Sequence, residues 1–223
     1  MKQGRDLVTA PIAPALLMFA LPTLGSSVLQ SANGSIDAVW VGRLLGENAL
    51  AATTNGNLIM FLLTAFVFGF GMASTILIGQ SIGRSDLAGA KEVVGTAIGS
   101  FVPLALLIAA GGWFLAPQLL ALLGTPQEIT MLAQDFLRVT FFAMPGILMQ
   151  TMLMMALRGA GDSVTPLIFM ALAAVLDVLL NPVFILGLGP APQMGIAGSA
   201  FAMALANYTS LAAMLVYLYR RRH

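Results

Sequence analysis

The sequence predicts an all-α, polytopic membrane protein, with six transmembrane helices forming one bundle over residues 1–223. Its residues are 59% hydrophobic and only 9% charged, and its mean hydropathy is +0.93. A soluble globular chain carries about 25% charged residues, so lipid must solvate most of this surface. Three charge-free runs, 48–83, 93–127 and 178–219, each exceed the roughly 20 apolar residues that a helix needs to cross a bilayer. The runs are continuous rather than alternating segments of about 10 residues, which predicts helices and not a barrel.

The first span covers about 14–41. Lys2 and Arg5 precede it as in a signal peptide, but the length of the apolar run and Pro11, Pro14 and Pro22 read as a retained helix. Pro22 has no N–H to offer the carbonyl of Met18, which predicts a kink, either a hinge or a static bend. The break Gly42–Asn48 leads to the second span, about 50–80, where Phe61, Phe66, Phe68 and Phe70 could stack on a cation or serve as plain apolar surface. The break Ser81–Lys91 leads to the third span, about 92–120. Its Gly95 and Gly99 predict a close helix-packing face.

The break Leu123–Glu128 opens the fourth span, about 130–157. Its Met144, Met149, Met152, Met154 and Met155 suit either a surface that adapts to varied ligands or lipid-facing filler. The fifth span, about 163–187, follows Arg158-Gly-Ala-Gly-Asp162, with Pro166 in the first turns where proline is tolerated. The break Gly187–Met194 opens the sixth, about 194–219, where Gly198, Ala202, Ala206 and Ser210 recur every four residues. That stripe suits close helix approach or a smooth wall facing a substrate.

Six spans place both termini on one side. Lys2, Arg5, Arg84, Lys91, Arg158, Arg220, Arg221 and Arg222 fall on that side, against Arg43 and Arg138 on the other. The positive-inside bias therefore predicts a multi-pass protein of the cell (inner or plasma) membrane with both termini cytoplasmic. Net charge is +1, which leaves no nucleic-acid footprint. There is no Cys, and the single His is His223 at the terminus, so thiolate, Cys-metal and His-based chemistry are excluded. No phosphate-binding loop, HExxH or GxSxG is present. The expectation is a protein that is not an enzyme and has no cofactor beyond a coupling ion.

Two carboxylates interrupt this apolar pattern. Asp37 ends the uncharged run 7–36, and Asp177 is the only charge between Ser163 and Tyr219. An ionisable group at membrane depth is expensive and by default functional. Each Asp has an Asn four residues away on its own helix face: Asn33 with Asp37, and Asp177 with Asn181. At about 1.5 Å per residue, counted from Arg43 and Gly187, Asp37 and Asn181 lie roughly 9 Å deep and Asn33 and Asp177 roughly 15 Å deep. The pairs can thus face each other in crossed order, Asp opposite Asn at both levels. Gln30 extends the same face, and Asn207 and Ser35 are weaker candidates for polar lining.

Pro182, inside the fifth span, leaves the carbonyl of Val178 without its helical N–H. Carboxylate, amide and carbonyl oxygens suit a small hard cation, which points to possible Na+ binding at Asp37, Asp177 and Asn181. The carboxylates could instead take protons, and either occupant gives the site two charge states. Interhelical polar contacts with no traffic are the plainer alternative.

Four stretches resemble the MATE-type multidrug exporters. "LPTLGSSVLQSANGSIDAVWVGRLLGENALAA" resembles that family's first helix and following loop, and "LRGAGDSVTP" its loop between helices four and five. "LDVLLNPVFILGLG" and "GIAGSAFAMALANYTS" resemble its helices five and six. The resemblance implies a cation- or proton-coupled antiporter exporting amphipathic, often cationic drugs or metabolites, with membrane lipid as its other partner. It sets Asp37 on the family's helix-one carboxylate and Pro22 on the helix-one proline associated with bending. Three departures stand out. The family's helix five commonly carries Asn then Asp where this chain has Asp177 and Asn181, and Met203 stands where a Thr is common. The family also has twelve helices in two halves, so this chain corresponds to one lobe, the N-terminal half. It would need a second lobe, from a missing C-terminal half or a second copy. A lipid-linked-sugar flippase of related fold and a non-transporting six-helix scaffold or channel are the competing functions.

Overall fold

A computed structural model of the chain describes residues 12–189 and 191–221, without the side chains of Ala15, Phe66 and Arg221. Lys2, Arg5, Pro11, Arg222 and His223, and the Phe66 and Arg221 side chains, lie outside what is described. The described residues form six helices: α1 (Ile12–Leu45), α2 (Glu47–Gly83), α3 (Leu87–Leu122), α4 (Gln127–Gly159), α5 (Val164–Leu186) and α6 (Ile196–Arg221). All six are long and apolar enough to cross a membrane.

Most helices run beyond the spans expected from charge. The 37 residues of α2 rise about 55 Å, whereas the hydrocarbon core is about 30 Å thick. The helix is therefore longer than the apolar layer requires. The breaks shrink accordingly. Only Gly46, at φ 87°, separates α1 from α2, a left-handed conformation that favours glycine. The second break contracts to Arg84–Asp86, and the Asp86 carboxylate accepts the Gly89 N–H at 2.9 Å to cap α3. Asp162 likewise accepts the N–H groups of Val164 and Thr165 at 3.1 and 2.9 Å, which orders the start of α5. Gly187, at φ 71°, ends α5, and the Met194 N–H reaches back to the Phe184 carbonyl at 3.0 Å.

Helix α4 is the axis of the bundle. It packs on α2, α3 and α6, while α5 joins α6 to α1. In the apolar stretch of α4 61% of residues are buried, against 6% in α1, which lies at the periphery. Leu137, Phe141, Met144, Leu148 and Met152 of α4 form the spine of the main apolar core. Glycine permits one of these contacts: a Cβ on Gly112 of α3 would collide with the Phe141 ring.

The central place of α4 corrects one expectation. Met144, Met152, Met154 and Met155 are buried in the protein and do not face lipid. The small-residue stripes divide. On α6, Ala202, Ala206 and Ser210 are fully buried, and Gly198 is pressed against the backbone of Phe184. On α3, Gly95 and Gly99 are exposed, and a Cβ on either would meet nothing. The expected packing face there has no partner among the described residues, because α3 packs mainly on α2 and α4 and does so with its other side. Pro22 sits within an uninterrupted α1, where the Ser26 hydroxyl donates to the Pro22 carbonyl at 3.0 Å.

Candidate functional site

A cavity of about 370 Å³ opens between α1, α2, α4, α5 and α6, and α3 contributes nothing to it. Asn33 and Asp37 reach it from α1 and Asp177 from α5, as the single-face spacing of each pair requires.

The two helices meet in the crossed order expected from depth. Asn33 Nδ2 donates to Asp177 Oδ2 at 2.8 Å, and Asn181 Nδ2 donates to Asp37 Oδ1 at 2.8 Å. Asn181 Nδ2 also lies 3.2 Å from Asp177 Oδ1, so one neutral amide sits between both carboxylates. Asn181 is 0% exposed and Asp177 2%, whereas Asn33 and Asp37 are half-buried against the cavity. Asn181 does not line the cavity; it holds the carboxylates from behind.

Charge balance is the chemical point. Two carboxylates meet here, and no Lys, Arg or His lines the cavity among the described residues. Their hydrogen-bond donors are the neutral amides of Asn33 and Asn181. Two further oxygens, Asn33 Oδ1 and Asn181 Oδ1, are buried without a donor. A buried acceptor left unmatched is costly and calls for an explanation. Carboxylate and amide oxygens without protons to accept are the donor set of a hard cation, so these residues fit Na+. Pro182 lies in α5 as expected, one turn beyond Val178.

The remaining expected residues separate. Gln30 and Asn207 line the cavity, although the Asn207 amide already donates to the Met203 carbonyl at 2.8 Å on its own helix. Ser35 lies outside it on an exposed face and bonds only the Ser31 carbonyl. Phe61, Phe68 and Phe70 do not line it either: they are exposed on α2, so stacking on a cation in this site is excluded for them. Met154 does line it, with Met170 and Met203, and gives part of the wall a deformable surface.

Sequence reasoning missed Thr53, Thr54 and Asn57 of α2, Gln150 and Thr151 of α4, and Ser199 of α6. A signal existed on α2. Residues 50, 53, 54 and 57 all face the cavity and follow the spacing of one helical face.

Six apolar helices around a cavity lined by two carboxylates define the class: a multi-pass α-helical membrane protein. Comparison with known proteins narrows it. The MatE family model matches residues 22–183, more than half of the chain, and the chain belongs to the MatE family.

It is 35% identical over 209 residues to the probable multidrug resistance protein YoeA of Bacillus subtilis, covering 94% of this chain and 45% of that protein. It is 30% identical over 203 residues to a protein of Shewanella oneidensis named FAD transporter, covering 91% and 44%. The chain thus spans about half the length of the curated relatives it matches. The fold agrees with solved MATE structures. A MOP superfamily transporter from Pyrococcus furiosus superposes with a TM-score of 0.90 at 24% identity over 100% of this chain and 48% of its own. A MATE crystal structure in the bent conformation gives 0.86 at 24% identity, covering 96% and 46%. These named relatives are transport and resistance proteins, not enzymes.

Proposed function

We propose that this chain is one lobe of an ion-coupled antiporter that exports amphipathic, often cationic compounds, and that Asp37 and Asp177 carry the coupling ion. The supporting observation is the pair of carboxylates bridged by one neutral amide, with no basic side chain on the cavity wall among the described residues. Such a site needs a proton or a metal cation to balance it, and a cationic cargo in the same cavity competes for the same charges. Competition for a shared site is a sufficient basis for exchange. Na+ would be held by Asp37, Asp177 and Asn181, with Asn33 as a fourth oxygen; it supplies positive charge and no covalent chemistry.

The cavity lining also bears on the competing function. A lipid-linked sugar carries phosphate, and a wall with two Asp and, among the described residues, no Lys or Arg repels it. The Arg and Lys asymmetry supports cytoplasmic termini: among the described residues Arg84, Lys91, Arg158 and Arg220 fall at α-helix ends on one side of an alternating bundle. The partner is a second six-helix lobe, either the rest of a longer chain or a second copy. Pro22 is the hinge of α1 and Pro182 that of α5.

The test is efflux of a cationic dye by the full-length protein in proteoliposomes under a Na+ or proton gradient. Asp37→Asn should abolish gradient-driven efflux; efflux at the unmodified rate sinks the coupling role.

A further inference from the structure

Away from the cavity, Arg138 interrupts α4 near the end of the bundle where α3 connects to α4. From Arg138 to Arg158 the helix carries no charge. That interval rises about 30 Å, the thickness of the hydrocarbon layer, so Arg138 stands at one edge of it. Its guanidinium carbon lies 6.0 Å from the centre of the Trp113 ring of α3, which is 42% exposed, so the group sits at the bundle surface. A guanidinium only donates. The Gln134 amide therefore turns its oxygen to it, and Oε1 accepts from Nη1 and Nη2 at 3.1 and 2.8 Å. Both partners are neutral, and Arg138 makes no ion pair among the described residues. Asp135 shares this face one turn nearer to water; it is exposed and makes no ion pair there either. One turn deeper than Arg138, Phe142 turns outward and is 59% exposed.

From water to hydrocarbon, one face of α4 thus carries an unpaired anion, an unpaired cation beside an aromatic ring, and exposed apolar surface. A charge at the edge of lipid is costly without a counter-charge, and guanidinium N–H groups fit phosphate oxygens in pairs. We propose that Arg138 binds the phosphate, and Asp135 the primary ammonium, of a phosphatidylethanolamine-type lipid on the lipid-facing side of α3 and α4. Such a lipid presents the complementary order: ammonium outermost, phosphate at the hydrocarbon edge, then acyl chains against Phe142. Asp135 and Arg138 are offset by about 4.5 Å along the helix, which a two-carbon phosphoethanolamine link spans. A free phosphate or an anionic headgroup meets Asp135 as a like charge, and a quaternary ammonium has no N–H to give it. This site is separate from the cavity and independent of what the cavity carries.

Trp113 itself reports on the site. In the full-length protein with every other Trp replaced by Phe, its fluorescence is quenched by phospholipids with brominated acyl chains. The protein is held in bilayers of a phosphate-free glycolipid, and brominated phosphatidylethanolamine or phosphatidylglycerol is titrated in. The ethanolamine lipid should be preferred to the glycolipid about tenfold, the effect of one hydrogen bond to a charged group, and Arg138→Gln should abolish the preference. Asp135→Asn should weaken the ethanolamine lipid about threefold, the scale of an exposed ion pair, without weakening phosphatidylglycerol. Asp135 is exposed, so its variant gives a reading even if Arg138→Gln does not fold. An ethanolamine lipid that binds no better than the glycolipid, or equally well after Arg138→Gln, overturns the proposal. So does displacement by inorganic phosphate, which marks a free-anion site, or an Asp135→Asn variant that keeps the full preference for the ethanolamine lipid over phosphatidylglycerol.

Discussion

Asp37 and Asn181 meet at 2.8 Å across a sequence separation of 144, and one turn deeper Asn33 and Asp177 meet at the same distance and the same separation. A constant separation is the mark of parallel helices in register, because a step of one turn along α1 matches a step of one turn along α5. First and fifth spans of an alternating bundle do run the same way. The register sets each carboxylate against an amide and keeps the two carboxylates from sharing a level.

Asn181 should be a keystone of stability as well as of the site. Asn181→Ala removes the amide between Asp37 and Asp177 and leaves both carboxylates short of a donor. The expected loss is about 1–3 kcal/mol, read as a lower melting temperature of the purified protein in detergent. A variant that melts with the unmodified protein would mean that the bridge contributes nothing.

Cation binding should be visible without transport. Sodium at about 100 times its Kd stabilises the folded state by about 2.7 kcal/mol, and replacing Na+ with a bulky organic cation should remove that gain. Asp37→Asn and Asp177→Asn should each suppress the Na+-dependent shift. If the unmodified protein shows no Na+-dependent shift and melts differently only as pH is changed, protons are the coupling ion.

Packing makes a sharper contrast on α3. Gly112→Ala drives a Cβ into the Phe141 ring at the centre of the bundle, and should cost about 1–3 kcal/mol as overpacking does. Gly95→Ala meets open space and should change stability by no more than about 0.5 kcal/mol, as surface substitutions do. Thermal melts of the two variants side by side check the pair; a tolerated Gly112→Ala would mean that α3 can move away from α4.

Much of this was legible in the residues because lipid is a strict solvent. It forces apolar runs of minimum length, so six spans could be counted. It makes Asp37 and Asp177 conspicuous, and depth counting then set them opposite Asn181 and Asn33. What escaped has a physical reason too. Gln150 carries no charge, and single uncharged polar residues are common in membrane helices, so nothing in its local sequence distinguishes lining from filler; Thr53, Thr54 and Asn57 did share one helical face, a weaker signal than a charge. The Met residues of α4 stayed open between a ligand-adapting surface and lipid-facing filler because being central is a property of the assembled bundle and not of one helix. Gly95 and Gly99 show the converse: a small-residue stripe announces that a helix can be approached, not that a neighbour is there.

The lack of any basic side chain on the cavity wall among the described residues has an electrical consequence. If one monovalent cation always replaces another at Asp37 and Asp177, the lobe carries the same charge in both halves of its cycle. The membrane voltage, worth about 2.3 kcal/mol per unit charge per 100 mV, then does no work on the exchange. If the cargo is neutral, each cycle returns the two carboxylates without a counter-charge and the voltage drives or opposes it. The same two aspartates would thus make export of charged compounds indifferent to the membrane potential and export of neutral ones electrogenic.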